Sequence, residues 1–155
     1  MAEKPSYLGL LNAIAVAEGH AEDYLGRWAE TTPRDDVRSV IHAVALREGE
    51  HAKAFEKRIW ELGFGLKPSL ADQSKMEIAG SADLSDRAKF EKLGLAADPG
   101  DGPDVFTGMF ADTTIDIQTG GLLGRYIAEE RDSGRMLRAC YDQLCAEDET
   151  AATES

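Results

Sequence analysis

The segment Glu48-Gly49-Glu50-His51-Ala52-Lys53-Ala54-Phe55 places a glutamate and a histidine three residues apart within a long amphipathic pattern. Read at a period of about 3.6 residues, the surrounding helix carries apolar side chains along one face. Glu48 and His51 lie next to each other on that face, at positions that would point into a protein core. The complete face is Val37, Ile41, Val44, Glu48, His51, Phe55, Ile59 and Leu62.

Two further helical patterns are interrupted in the same way. The first, from about Ser6 to Ala29, has Glu18 on its apolar face, and the third, from about Ile117 to Leu144, has Glu130 where a leucine would be expected. Burying a carboxylate without a partner costs several kcal/mol. Three glutamates and a histidine near the middle of three apolar faces therefore predict a shared partner, and a cation is the simplest one.

The second helix is predicted to begin near Thr32-Pro33-Arg34-Asp35-Asp36 and to end near Leu62. Thr32 is a suitable N-cap, Pro33 suits the first helical position, and Gly63 is a natural left-handed stop. The short connection to the first helix predicts an antiparallel hairpin. Counted along the helix axes, Glu18 and Glu48 then lie within about one turn of each other.

The rest of the chain is less regular. Glycines and prolines interrupt residues 64–119, leaving room for short helices near Leu84 to Leu93 and near Asp104 to Ala111. After the third helix, residues 147–155 are acidic and small, which predicts a frayed tail. We therefore predict one helical domain over residues 1–146, with residues 64–119 as an irregular excursion, and a flexible tail.

Composition excludes some classes of function. A net charge of −12 argues against binding nucleic acid, whose phosphates favour clustered Lys and Arg. No apolar run approaches the ~20 residues that cross a bilayer, and the N-terminus lacks the pattern of a secretory signal. We expect a soluble, cytoplasmic protein without membrane contact. The acidic charge does not by itself select a cation, because acidity also serves solubility.

Other candidate ligands fall outside the apolar faces. His20 and His42 are predicted to be solvent-exposed rather than ligands. Cys140 and Cys145 lie five residues apart in a helix and point in different directions, which predicts two reduced thiols. The glutamates that fall off the faces are Glu22, Glu50, Glu56, Glu61 and Glu129.

The whole pattern resembles the ferritin-like superfamily, including rubrerythrins and related di-iron carboxylate proteins. Those proteins place a Glu on one helix and Glu-x-x-His on the next, and repeat the pair on a second hairpin. The resemblance covers about Tyr7 to Gly63 and, less closely, Gly121 to Leu144. It implies an all-α ferritin-like helical bundle that holds iron, mononuclear or di-iron, or else Mn or Zn. The implied metal ligands are Glu18, Glu48, His51 and Glu130.

The chain departs from that family where a fourth long helix would be. Only the acidic tail follows the third helix, and Glu130-Arg131-Asp132-Ser133 lacks the second histidine. Three explanations stay open: another subunit completes the bundle, the site holds one metal, or the metal function has been lost. Short helices in residues 64–119 are a poor cover for the third helix, so we predict a homo-oligomer, most simply a dimer. The apolar side chains to be covered are Leu123, Ile127, Leu137 and Leu144.

The resemblance implies a non-haem iron oxidoreductase, ferroxidase or peroxidase-like, that reacts with dioxygen or peroxide and whose electron donor the sequence does not identify. Tyr126 or Tyr141 would then be placed to hydrogen-bond a bound oxygen species, although core packing is the commoner role for such residues. Two alternatives stay open. One is a metal-storage component without catalysis. The other is a structural helical module in which the glutamates pair with Arg47, Arg125 or Arg131.

Overall fold

The computed structural model describes residues 3–97 and 104–155. Within these two ranges the chain forms five α-helices and no strand, which confirms the predicted all-α class. None of the described helices is both long and apolar enough to cross a bilayer. The helices are α1 (Leu8–Thr31), α2 (Asp35–Glu61), α3 (Gln73–Gly80), α4 (Asp86–Lys92) and α5 (Ile117–Thr153), and a short 3₁₀ helix at Thr107–Phe110 precedes α5.

The α1–α2 hairpin is the most extensive helix pair of the fold, and α2 also packs against α5. At its far end, Gly63 adopts a φ of 93° and terminates α2 as predicted. The predicted start of α2 is wrong, because Arg34 and not Thr32 occupies the N-cap position. The Thr32 hydroxyl instead donates to the carboxylate of Asp86 at 2.8 Å, which ties the hairpin loop to α4.

The middle segment is more helical than its glycines and prolines predict. The predicted helix near Leu84 to Leu93 is confirmed as α4, and the one near Asp104 to Ala111 is only the 3₁₀ helix. Helix α3 was not predicted from the sequence. Its start nevertheless carries a sequence signal, because the Asp72 side chain accepts hydrogen bonds from the backbone N–H groups of Ser74 and Lys75. Packing against α1 adds the tertiary support that a helix this short requires.

The third long helix extends well beyond its predicted end at Leu144, because α5 continues to Thr153. Its last turns are held to the rest of the chain by ion pairs. Glu147 pairs with Arg34 at the start of α2, and Asp148 pairs with Arg87 of α4 at 3.0 Å. The prediction of a frayed tail did not take account of ion pairs with residues distant in sequence. The division of the chain at residue 147 stays a prediction.

The apolar face of α5 is covered within a single chain, contrary to the premise that residues 64–119 would leave it wet. Leu137 and Leu144 lie in one core cluster with Phe90 and Leu93 of the middle segment. Leu123 and Ile127 lie in the other cluster, together with α1 and α2 residues, and side chains from the middle segment pack against it. These covering side chains are Phe64, Leu66, Phe106, Met109 and Ile115. The middle segment thus covers the apolar face of α5 at both core clusters.

Candidate metal centre

Glu18, Glu48 and His51 are as deeply buried as the apolar core around them. They expose 4%, 6% and 4% of their surfaces, on helices whose neighbouring core residues expose similar fractions. Each lies on the apolar face of its helix, as the sequence pattern predicts, so helix packing carries them inward together. Glu130 comes from α5, which lies across α2, and exposes 21% of its side chain.

The structure brings these four residues together. One donor atom from each of Glu18, Glu48, His51 and Glu130 lies within 4.8 Å of the donor atoms of the other three. Donors that share one ion at about 2.1 Å lie at most ~4.2 Å apart, so a small contraction would place all four around a single ion. The proximity that the sequence analysis required is present, whereas binding of a metal stays a prediction.

His51 lies between two consecutive carboxylates of α5. Its Nδ1 atom is 3.5 Å from Oε1 of Glu130, and its Nε2 atom is 3.4 Å from Oε1 of Glu129. Nδ1 of His51 and Oε1 of Glu130 are both buried, and neither has a hydrogen-bond partner among residues 3–97 and 104–155. Buried polar atoms normally have partners, so His51 Nδ1 and Glu130 Oε1 form the part of the cluster best suited to a ligand.

The surroundings of the cluster raise the pKa of two of its residues. Burial, followed by the negative charge of Glu130, raises the pKa of Glu18 to about 7, against the opposing effects of Tyr126 and His51. Burial acts to lower the pKa of His51, but the carboxylates of Glu130, Glu18 and Glu129 outweigh it and raise the pKa overall. Both shifts favour extra protons at the site, which are positive charges that a metal ion would replace.

Tyr126 packs against the histidine and closes one side of the cluster. Its ring meets the His51 ring edge-on at 5.2 Å and the Phe55 ring at 5.3 Å. Burial and the nearby Glu18 and Glu130 carboxylates raise the pKa of Tyr126, so its hydroxyl stays protonated. Of the two tyrosines considered from the sequence, Tyr126 is the one at the site, because the Tyr141 hydroxyl donates to Glu91 at 2.9 Å.

The arginines considered as partners for the buried glutamates bind other acids. Within the described ranges, no Lys or Arg forms an ion pair with Glu18, Glu48 or Glu130. This arrangement removes the specific pairing on which the structural alternative was based. The observed pairs are Arg47 with Asp132, Arg125 with Glu50 and Glu129, and Arg131 with Asp104.

A cavity of about 590 Å³ lies beside the cluster, with Glu48 and Glu130 in its wall. Its remaining lining is largely apolar and includes Leu25 of α1, Val44 of α2 and Leu137 of α5. The volume falls in the range of small-molecule sites. A larger groove of about 870 Å³ between α1 and α2 contains none of the four cluster residues in its lining. A small molecule could therefore reach the cluster through the smaller cavity.

The other histidines and the cysteines lie outside the cluster, and most of their predicted properties are confirmed. His42 is exposed, whereas His20 is half-buried and not solvent-exposed as predicted, with Nε2 at 3.1 Å from the carbonyl oxygen of Ser69. Neither histidine belongs to the cluster. Cys140 and Cys145 are both free thiols, as predicted.

Glu129 is the residue at the site that sequence reasoning missed, because it falls off the apolar face of α5. It reaches His51 from the edge of the helix, where Arg125 holds it at 2.9 Å. Burial acts to raise the pKa of Glu129, but Arg125 and His51 lower it overall. The spacing of Arg125 and Glu129, one helical turn apart, predicts their ion pair but not the contact with His51.

Comparison with known proteins adds no assignment to this picture. No family model, no curated protein and no solved structure matches the chain. The resemblance to ferritin-like proteins therefore rests on the residues of the sequence pattern alone.

Proposed function

We propose that this chain binds iron through Glu18, Glu48, His51 and Glu130, in the manner of ferritin-like proteins, and that the bound iron reacts with dioxygen or peroxide. One observation carries the proposal. Three carboxylates and one imidazole converge in a largely buried cluster, and the carboxylates have no Lys or Arg ion-pair partner within the described ranges. A cation is the simplest source of the missing positive charge.

The donor atoms limit which metals would suit the site. Carboxylate oxygens and a neutral imidazole suit Fe, Mn and Zn, whereas Cu(I) favours sulfur and Mg and Ca favour all-oxygen sites. With four protein donors, a bound Fe(II) would still have room for a small molecule among its ligands. The adjoining cavity, which has Glu48 and Glu130 in its wall, would be the route for that molecule. Manganese and zinc remain the other candidate metals.

Storage without catalysis is the second candidate function. The net charge of −12 would favour the gathering of cations over the protein surface. Storage differs from catalysis in outcome, because ferric iron would accumulate beyond the stoichiometry of the site.

An anaerobic titration tests these proposals. Fe(II) is added to the metal-free wild-type chain and to Glu48→Ala, binding is measured, and air or hydrogen peroxide is then admitted. We expect saturable binding to the wild type only, followed by Fe(II) oxidation in fixed ratio to the oxidant consumed. Slow growth of a ferric product well above site stoichiometry would favour storage. Equal and negligible binding by both proteins would refute the metal site and favour a structural module.

We also propose that the chain forms a homo-oligomer. The sequence suggested an uncovered apolar face of α5 as the reason for a homo-oligomer. The middle segment covers that face, so this reason does not support the homo-oligomer. The large apolar side chains that the chain leaves exposed, among them Trp60 at 63% and Ile117 at 95%, are the places where a second copy would bind.

A further inference from the structure

The two ring nitrogens of His51 face different carboxylates. Nδ1 faces Glu130 within the four-residue cluster, while Nε2 faces Glu129 on its outer side. A neutral imidazole carries one N–H and one lone pair, so the partner of one nitrogen decides what the other can do. The carboxylate that accepts the hydrogen bond from the N–H therefore decides which nitrogen can bind a cation.

We propose that Glu129 is a positioning residue that accepts a hydrogen bond from Nε2–H of His51 and thereby presents the Nδ1 lone pair to the metal. The inference rests on the proposed function and extends it to a residue outside the ligand set. Histidines that bind metals donate their other N–H to a carboxylate, carbonyl or water, which fixes the tautomer and the ring orientation. Glu129 is the carboxylate in that place.

The hydrogen-bond pattern at the two nitrogens supports this assignment. Glu129 Oε1 lies at 3.4 Å from Nε2, at the long end of hydrogen-bond distances, and forms a hydrogen bond there. Nδ1 and Glu130 Oε1, by contrast, form no hydrogen bond with any described residue, although both are buried. A proton on Nε2 satisfies the first contact and leaves a lone pair at the second, where a cation can lie.

The surroundings of Glu129 hold it in position. Its Oε1 accepts from Nε of Arg125 at 2.9 Å, and the same guanidinium donates to Glu50 of α2 at 2.7 Å. Arg125 thus joins the two helices that carry His51 and Glu129. On the other side, the edge-on ring of Tyr126 restricts rotation of the imidazole. Glu129 therefore has a defined place relative to His51 without belonging to the cluster of four.

The test compares Glu129→Ala and Glu129→Gln in the full chain, with Zn(II) as the probe metal. Glutamine keeps an acceptor oxygen, whereas alanine removes it. Glu149→Ala serves as the matched control, because it removes one negative charge from an exposed position on the same helix. Zn(II) affinity is measured by competition with a chelator. The protonation of the His51 ring nitrogens is read by ¹⁵N NMR, in metal-free and Zn(II)-loaded protein.

We expect Glu129→Ala to weaken Zn(II) binding by about 10- to 100-fold and to lose the defined Nε2–H signal. We expect Glu129→Gln to keep most of the Zn(II) affinity and of the Nε2–H signal. Glu149→Ala should match the wild type in both. Wild-type affinity or an unchanged Nε2–H signal in Glu129→Ala would overturn the inference. Equal losses of affinity in the alanine and glutamine variants would also overturn it, since they would show that the negative charge of Glu129, and not its acceptor oxygen, supports metal binding.

Failure of the proposed function would look different. A wild-type chain that binds no Zn(II) and no Fe(II) refutes the metal site itself. The metal-free spectra then still show whether Glu129 sets the tautomer of His51, and an unchanged spectrum in Glu129→Ala refutes that role independently.

Discussion

The Nδ1 atom of His51 and the Oε1 atom of Glu130 lie 3.5 Å apart, both buried, and neither forms a hydrogen bond with residues 3–97 or 104–155. Leaving a buried polar atom without a partner costs about 1–3 kcal/mol. These two atoms face each other, and the proposed cation would bind both of them. This relationship, across α2 and α5, is the sharpest structural support for the proposed metal centre.

Removal of one ligand should abolish metal binding while leaving the fold intact. We expect Glu48→Ala to lose stoichiometric Fe(II) and Zn(II) binding but to keep nearly the same helix content by circular dichroism, because α2 is held by the rest of its apolar face. Glu56→Ala, on the same helix and outside the cluster, should bind as the wild type does. Unchanged stoichiometry in Glu48→Ala would refute the ligand assignment.

The same measurement has a histidine control. Replacing His20 and His42 together with Gln should leave the metal content unchanged, because neither belongs to the cluster. A large loss of metal would place the ligands on a different face of α1 and α2.

The stability of the metal-free protein should fall as the pH rises from about 4.5 to 7. In that interval folded Glu18, with a pKa of about 7, keeps a proton that the unfolded chain releases near its usual 4.5. His51, whose pKa is raised, acts in the same direction because its stabilising proton is lost as the pH rises through its folded pKa. For Glu18 alone the loss is of order 3 kcal/mol.

Urea unfolding at several pH values checks this expectation. Glu18→Gln carries no titrating group at that position, so its stability relative to the wild type should improve as the pH rises. Saturating Zn(II) should reverse the wild-type trend, since metal binding favours the deprotonated ligands. A difference between wild type and Glu18→Gln that does not change with pH would contradict a raised pKa at Glu18.

Asp86 should be among the most sensitive positions away from the metal centre. Its carboxylate accepts from Trp28 Nε1 and from the Thr32 hydroxyl, both at 2.8 Å and both buried. Asp86→Ala leaves two buried donors without this partner, each costing about 1–3 kcal/mol, so we expect a loss of ~3 kcal/mol in the free energy of unfolding. Asp83→Ala, at an exposed position in the loop that precedes α4, should change stability by less than ~0.5 kcal/mol. Similar values for the two variants would show that the Asp86 hydrogen bonds contribute little.

The proposed homo-oligomer predicts a mass of about twice the 16.8 kDa of one chain by light scattering at micromolar concentration. The mass of Trp60→Glu, which places a charge at one of the exposed apolar positions, is compared with the mass of the wild type. The mass of a single chain together with stoichiometric metal binding would exclude the oligomer and favour a self-contained mononuclear centre.

The sequence was sufficient for the features that depend on neighbours along one helix. The burial of Glu18, Glu48 and His51 follows from helical periodicity, because residues three and four apart share a face whatever packs against it. The same reasoning predicted the hairpin and the Gly63 stop. It also placed Glu130, which lies more than 75 residues after His51 in the chain, on the apolar face of its helix.

Contacts between distant segments decided the rest, since no local pattern encodes them. The acidic end of α5 was predicted to fray, yet Arg34 and Arg87 bind Glu147 and Asp148 there. The middle segment was judged a poor cover, yet its side chains pack against both core clusters. Glu129 shows the reason most clearly: it lies off the apolar face of its own helix, and only the packing of α5 across α2 brings its carboxylate to His51.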